Sequence, residues 1–145
     1  SLSVLMTASV GNDIYNASRI EMIGMYSGAN QLKSVLRRWR TPGQITDIPK
    51  AGELDNLKAS TRWVEDGSYL KLDNLTVGYT FRFKENKYID SLRLYLTGQN
   101  LFTITSYSGQ DPEIDTTSVW SSGIDYPNFF PRVATVLLGL NLSLF

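Results

Sequence analysis

Three carboxylates alternate in the stretch DPEID, namely Asp111, Glu113 and Asp115. Oxygen ligands spaced in this way can hold Ca²⁺. The spaced glycine and the closing bidentate glutamate of a calcium loop are missing, so a solvated loop is expected, and no cofactor. Glu65 and Asp66 are adjacent carboxylates, a pairing that suggests acid–base catalysis. Neighbours along a strand point to opposite faces, which makes a place at a loop edge the plainer reading. Histidine and cysteine are both absent. Within these residues that excludes a Ser-His-Asp triad, an imidazole or thiolate metal site, and a disulfide framework. Arg37, Arg38 and Arg40 around Trp39 offer cations to nucleic acid or anionic lipid. With 14 basic and 14 acidic residues the net charge is zero, so no nucleic-acid partner is expected. A loop helix with its arginines in solvent or paired to acids accounts for the cluster. The sequon matches at Asn16, Asn74 and Asn141 are read as chance, two of them inside strand patterns.

The elements that position these groups show in the two-residue period. In DNLTVGYTFRF, Leu75, Val77, Tyr79, Phe81 and Phe83 oppose Asn74, Thr76, Gly78, Thr80 and Arg82. Leu70 and Leu72 are out of step with them, and a β-bulge near Asp73-Asn74 explains the slip. Three further stretches alternate: Leu2 to Val10, Leu92 to Gln99, and Ala134 to Leu144 with Leu137 as an exception. Strands are expected at about 2–12, 68–83, 91–104 and 133–145. KENKYID joins the middle two by a short turn, whereas long connections span about 14–65 and 106–132. Two long connections among four strands are unusual for an ordinary domain. In the first, Asn16 caps a helix with Ile20, Ile23 and either Met22 or Tyr26 at helical spacing. A second helix is expected over NQLKSVLRRWR, with Leu32, Val35, Leu36 and Trp39 on one face, ended by Pro42-Gly43. The rest reads as irregular loop.

Strands with one apolar face suit a β-sandwich or a lipid-facing barrel. Twelve alternating residues in the last strand favour the barrel, since membrane strands need ~9–11 and globular strands cluster near 5–6. Tyr79, Phe81, Phe83 and Tyr88 lie near the short turn, where an interfacial aromatic girdle belongs. Mean hydropathy is mildly polar, as barrels allow because only alternate residues face lipid. Four strands cannot close a barrel, so most of one is expected outside this chain. The chain opens at Ser1 directly on a strand pattern, which is expected of a processed chain or a fragment.

RWRTPGQITDIPK, WVEDGSYLKLDNLTVGYTF, LRLYLTGQNLFTIT followed by Y-G-DPE, GIDY, and the terminal LGLNLSLF together resemble the carboxy-terminal end of SusC/RagA-family transporters. These are TonB-dependent outer-membrane proteins of Bacteroidota. The resemblance implies an all-β fold, a transmembrane antiparallel barrel of 22 strands. This chain would supply the last four strands and two long extracellular loops, the first partly helical. It implies import of glycans or peptides together with a SusD-like surface lipoprotein, and TonB coupling through a plug outside this chain. Such chains commonly end on an aromatic in phase with the lipid-facing residues. Here Leu144 holds that phase and Phe145 is one beyond it.

On this reading Arg93, Tyr95, Gln99 and Asn141 face the lumen, with the plug rather than substrate as their neighbour. Trp39, Trp120, Asp125, Tyr126 and Phe129 are the candidate extracellular contacts. The aromatics Trp120, Tyr126, Phe129 and Phe130 suit stacking on sugar rings and packing on the rim or lipoprotein equally well. No enzymatic centre is expected. The alternatives are a secreted β-sandwich carbohydrate-binding module, which would need no detergent, and an outer-membrane barrel enzyme, which the lack of histidine disfavours.

Overall fold

The structure, a computed structural model, describes residues 1–26, 28, 30–52, 57–83, 88–114, 122–127 and 130–144. It divides into two compact units, Ser1–Val10 with Ser68–Ser106 and Arg132–Phe145, and Gly11–Gly67 with Tyr107–Pro131.

The first unit is one antiparallel sheet. Its strands are β1 (Leu2–Ser9), β4 (Tyr69–Arg82), β5 (Ile89–Thr105) and β7 (Thr135–Leu144), in the spatial order β1-β4-β5-β7. The register stacks like on like. Leu2, Val77, Leu96 and Leu138 form one cross-strand row, with Tyr79, Leu94 and Leu140 in the next and Phe81, Leu92 and Leu142 beyond. The alternate rows are polar or small: Thr76 with Thr97, Gly78 with Tyr95 and Gly139, and Thr80 with Arg93 and Asn141. Leu137 interrupts this face beside Thr97. The apolar rows stay open to the surroundings, with Val77 at 52%, Leu96 at 50% and Leu138 at 82% exposure. A soluble sheet of this size would bury such rows.

The phase slip has the expected cause. Leu5 pairs with Asn74 and Met6 with Leu72, so Asp73 is an extra residue between them. On the other side Asn74 meets Gln99 while Leu72 meets Phe102, and β5 absorbs the mismatch at Asn100, whose φ is 51°. Asparagine tolerates that left-handed conformation better than most side chains. The bulge is why Leu70 and Leu72, out of step in sequence, pair with Ala8 and Met6 and share their face.

The second unit corrects the picture of an irregular loop. It contains a small sheet of β2 (Asp13–Asn16), β3 (Val64–Asp66) and β6 (Ile124–Asp125), in the order β3-β2-β6. β2 runs antiparallel to β3 and parallel to β6, so the two long connections share one sheet. The first strand therefore ends at Ser9 rather than near residue 12, and a new strand begins at Asp13. Helix α1 (Ala17–Ile23) starts where Asn16 predicts: its Oδ1 accepts the Arg19 amide at 2.8 Å. The second expected helix is only a 3₁₀ turn, Lys33–Arg37. Of its proposed apolar face, Val35 packs against a core cluster, whereas Leu32 and Leu36 are exposed. Two small cores hold the unit. Ile14, Tyr107 and Ile114 make one; Ile23, Ile48 and Trp63, flanked by Tyr15, Ile20, Met22, Met25 and Val35, make the other.

Candidate functional site

On the sheet, the four residues expected to face a lumen lie together on the polar face. Arg93, Tyr95 and Gln99 are spaced by even intervals on β5, and Asn141 of β7 pairs with Arg93. The Arg93 guanidinium sits 5.7 Å from the centre of the Tyr95 ring, within cation–π range. That ring lies across Gly139. A Cβ built there would stand 2.0 Å from Tyr95 Cζ, and one at Gly78 would stand 3.1 Å from Tyr95 Cβ. The two glycines leave the space the aromatic covers, so the row Gly78–Tyr95–Gly139 is one packed feature. Gln99 and Asn141 are exposed.

A further polar group was not singled out by the sequence. Lys71, 4% exposed, pairs with Asp73 at 3.1 Å, and the Thr7 hydroxyl donates to the same carboxylate. Asp73 is the bulge residue, so the Thr7 bond to it joins β1 to β4 where their register shifts, and the ion pair with Lys71 lies within β4. The sequence signal was a lysine inside a strand pattern, two residues from the slip.

In the second unit, two carboxylates tie the long connections together. Glu65 on β3 accepts Arg19 Nη1 at 2.9 Å and Asn16 Nδ2 at 3.1 Å. It also accepts Ser108 from the other connection twice, at 2.8 Å from Oγ and 3.0 Å from the amide. Burial pushes the Glu65 carboxyl up, but these donors outweigh it and hold it below the usual range. Asp125 on β6, 6% exposed, accepts the Tyr107 hydroxyl at 2.5 Å and the Ser18 hydroxyl at 3.4 Å. Burial first, and then that bond to a carboxylate, drive the Tyr107 hydroxyl far above its ordinary value. Glu65 is thus a joint within a sheet rather than a loop-edge residue. Asp125 is corrected too: it is turned inward, not displayed as a surface contact, because Tyr107 and Ser18 supply its partners.

Of the other candidate contacts, Tyr126 is 51% exposed. Trp39 is half-buried, its amide donating to Ile48 O at 2.9 Å. Trp120 and Phe129 lie outside the described residues, as do Asp115 and most of the KENKYID turn. Tyr126 borders a pocket of about 190 Å³ with Met22, Leu32, Gln110 and Pro127. Arg37 pairs with Asp47 at 3.4 Å in solvent, and Asp111 accepts the Glu113 amide at 2.9 Å.

No family model matches the chain. TonB-dependent receptor P3 of Formosa agariphila is 33% identical over 98% of this chain and 15% of its own length. TonB-dependent receptor SusC of Bacteroides thetaiotaomicron is 33% identical over 97% of this chain and 13% of its own. A solved structure of the RagAB peptide importer in its open-open state aligns at TM-score 0.82 with 28% identity, over 98% of this chain and 15% of that one. The long alternating sheet with a bare apolar face thus matches a segment of TonB-dependent receptors. Within that class the likeness runs to SusC and to the RagAB importer. It spans about 15% of the length of the relatives it matches.

Proposed function

We propose that this chain forms part of the wall and the outer surface of an outer-membrane nutrient importer. The bare apolar face of the four-stranded sheet carries the reading. Rows such as Val77–Leu96–Leu138 are half exposed or more, and hydrocarbon is the environment that suits them. The opposite face, with Arg93, Tyr95, Gln99 and Asn141, then faces a wet or plugged lumen. The sheet ends at β1 and β7 pair with further strands of a barrel, since open edges are forbidden in lipid. The two long connections are extracellular and meet a SusD-like lipoprotein and a glycan or peptide cargo. Coupling to TonB belongs to parts of the protein beyond these residues. The chain acts as a transport element, with no catalytic role and no bound metal.

The supports are the identity to TonB-dependent receptors along nearly the whole chain and the likeness to RagAB. The test uses the full-length protein in its own cell envelope. It should fractionate with the outer membrane, require detergent for extraction, and co-purify with a surface lipoprotein. A full-length protein that is soluble and monodisperse without detergent would overturn the reading.

A further inference from the structure

We infer that the two long connections behave as one cooperative body, with Asp125 and Glu65 as the residues that position each connection on the other. The inference is independent of which cargo or partner the surface meets. Residues 11–67 and 107–131 are far apart in sequence, yet their union is structural at three levels. Backbone joins them through the parallel pairing of Tyr15 with Ile124 and of Asn16 with Asp125, and through Tyr15 N–H donating to Gly123 O at 2.8 Å. A core joins them, since Ile14 of the first packs with Tyr107 and Ile114 of the second. Polar bonds join them on both sides of β2: Glu65 binds Ser108, and Ser18 shares Asp125 with Tyr107.

The two carboxylates have complementary places. β3 and β6 flank the central β2, and each carries one of them. Glu65 gathers Asn16 and Arg19 from its own connection and Ser108 from the other. Asp125 gathers Tyr107 from its own and Ser18 from the other. Neither can lose its cross-connection partner without leaving a polar group poorly matched in a half-buried or buried place. Tyr126, next along the chain from Asp125, is thereby held at the rim of the pocket it shares with Met22 and Leu32 of the first connection. Binding at either connection would therefore be felt by both.

Amide hydrogen exchange on the full-length protein tests this. The probes are the Leu32 amide, which donates to Met22 O, and the Trp39 amide, which donates to Ile48 O; both bonds lie wholly within the first connection. Tyr107→Phe, made in the second connection, should speed exchange at both probes about tenfold, the effect of losing a hydrogen bond to a charged acceptor. Amides of β4 and β5 should be unchanged. Acceleration confined to residues 107–127 would overturn the inference. Ser18→Ala gives the reciprocal reading and stands in if the tyrosine variant fails to assemble: exchange should rise around Tyr107 and Ile114. Unchanged exchange there would equally sink the idea.

Discussion

At the residue scale, the sheet turns on which way single side chains point. Leu140 stands in a row with Leu94 and Tyr79, and Asn141 in the next row with Arg93. If the apolar rows meet hydrocarbon, an arginine at Leu140 costs ~2–4 kcal/mol near the midplane, while one at Asn141 is tolerated. Leu140→Arg is therefore expected to lower the folded level in the outer membrane well below that of Asn141→Arg, read as heat-modifiable protein on gels. Equal levels of the two variants would refute the facing. The Tyr95–Gly139 contact makes a second case. Gly139→Val places a Cβ where the Tyr95 ring lies, so assembly should fall. Tyr95→Ala combined with Gly139→Val should recover much of the loss, whereas a loss merely added to that of Tyr95→Ala alone would show that the clash is not the cause.

At the scale of elements, β3, β2 and β6 are too short to persist alone, and their persistence rests on side-chain joints. Glu65 gives those joints a pH dependence whose sign is fixed. Its carboxyl titrates below its ordinary value of 4.5 in the folded state, so ionised Glu65 stabilises the small sheet. That contribution is complete above the ordinary value and is lost as pH falls through the lowered one. Protection of the Ser108 amide, corrected for intrinsic exchange, should hold from neutrality to about pH 5 and then drop in the wild type. In Glu65→Gln it should be lower at neutrality and nearly flat on acidification. A wild-type profile that falls between pH 7 and 5 would contradict the assignment. The same scale explains the missed helix. NQLKSVLRRWR has helical spacing, but only Val35 finds a core to pack on, and a short helix without tertiary burial does not persist.

At the scale of the whole molecule, the two units make different demands on their surroundings. The second holds buried cores around Trp63 and Ile14; the first leaves its apolar rows open. Residues 1–145 expressed alone in buffer without detergent are expected to aggregate through the faces and edges of the sheet. Size-exclusion light scattering decides it, and a stable monomer with dispersed amide resonances would mean the sheet has a cover of its own. Sidedness is tested on the full-length protein. Ile45, fully exposed, and Ser122 sit one on each connection. Cysteines placed there should react with an impermeant maleimide on intact cells. Labelling only after permeabilisation would invert the topology.

The residues alone determined much of the sheet. Alternation is local, because each strand residue faces opposite to the next whatever its partners. Facing, the bulge at Asp73, and the grouping of Arg93, Tyr95, Gln99 and Asn141 could therefore be read in one dimension. Helix α1 was legible for the same reason, since an N-cap bond spans three residues. Tertiary structure alone decided the fate of the long connections. The partners of β2 lie roughly 50 and 110 residues along the chain. A two-residue strand such as Ile124–Asp125 carries no period at all. Whether a carboxylate such as Asp125 meets solvent or Ser18 depends on a distant donor brought within 3.4 Å. Residue type and spacing carry no record of that encounter, because it exists only once the two connections have closed on each other.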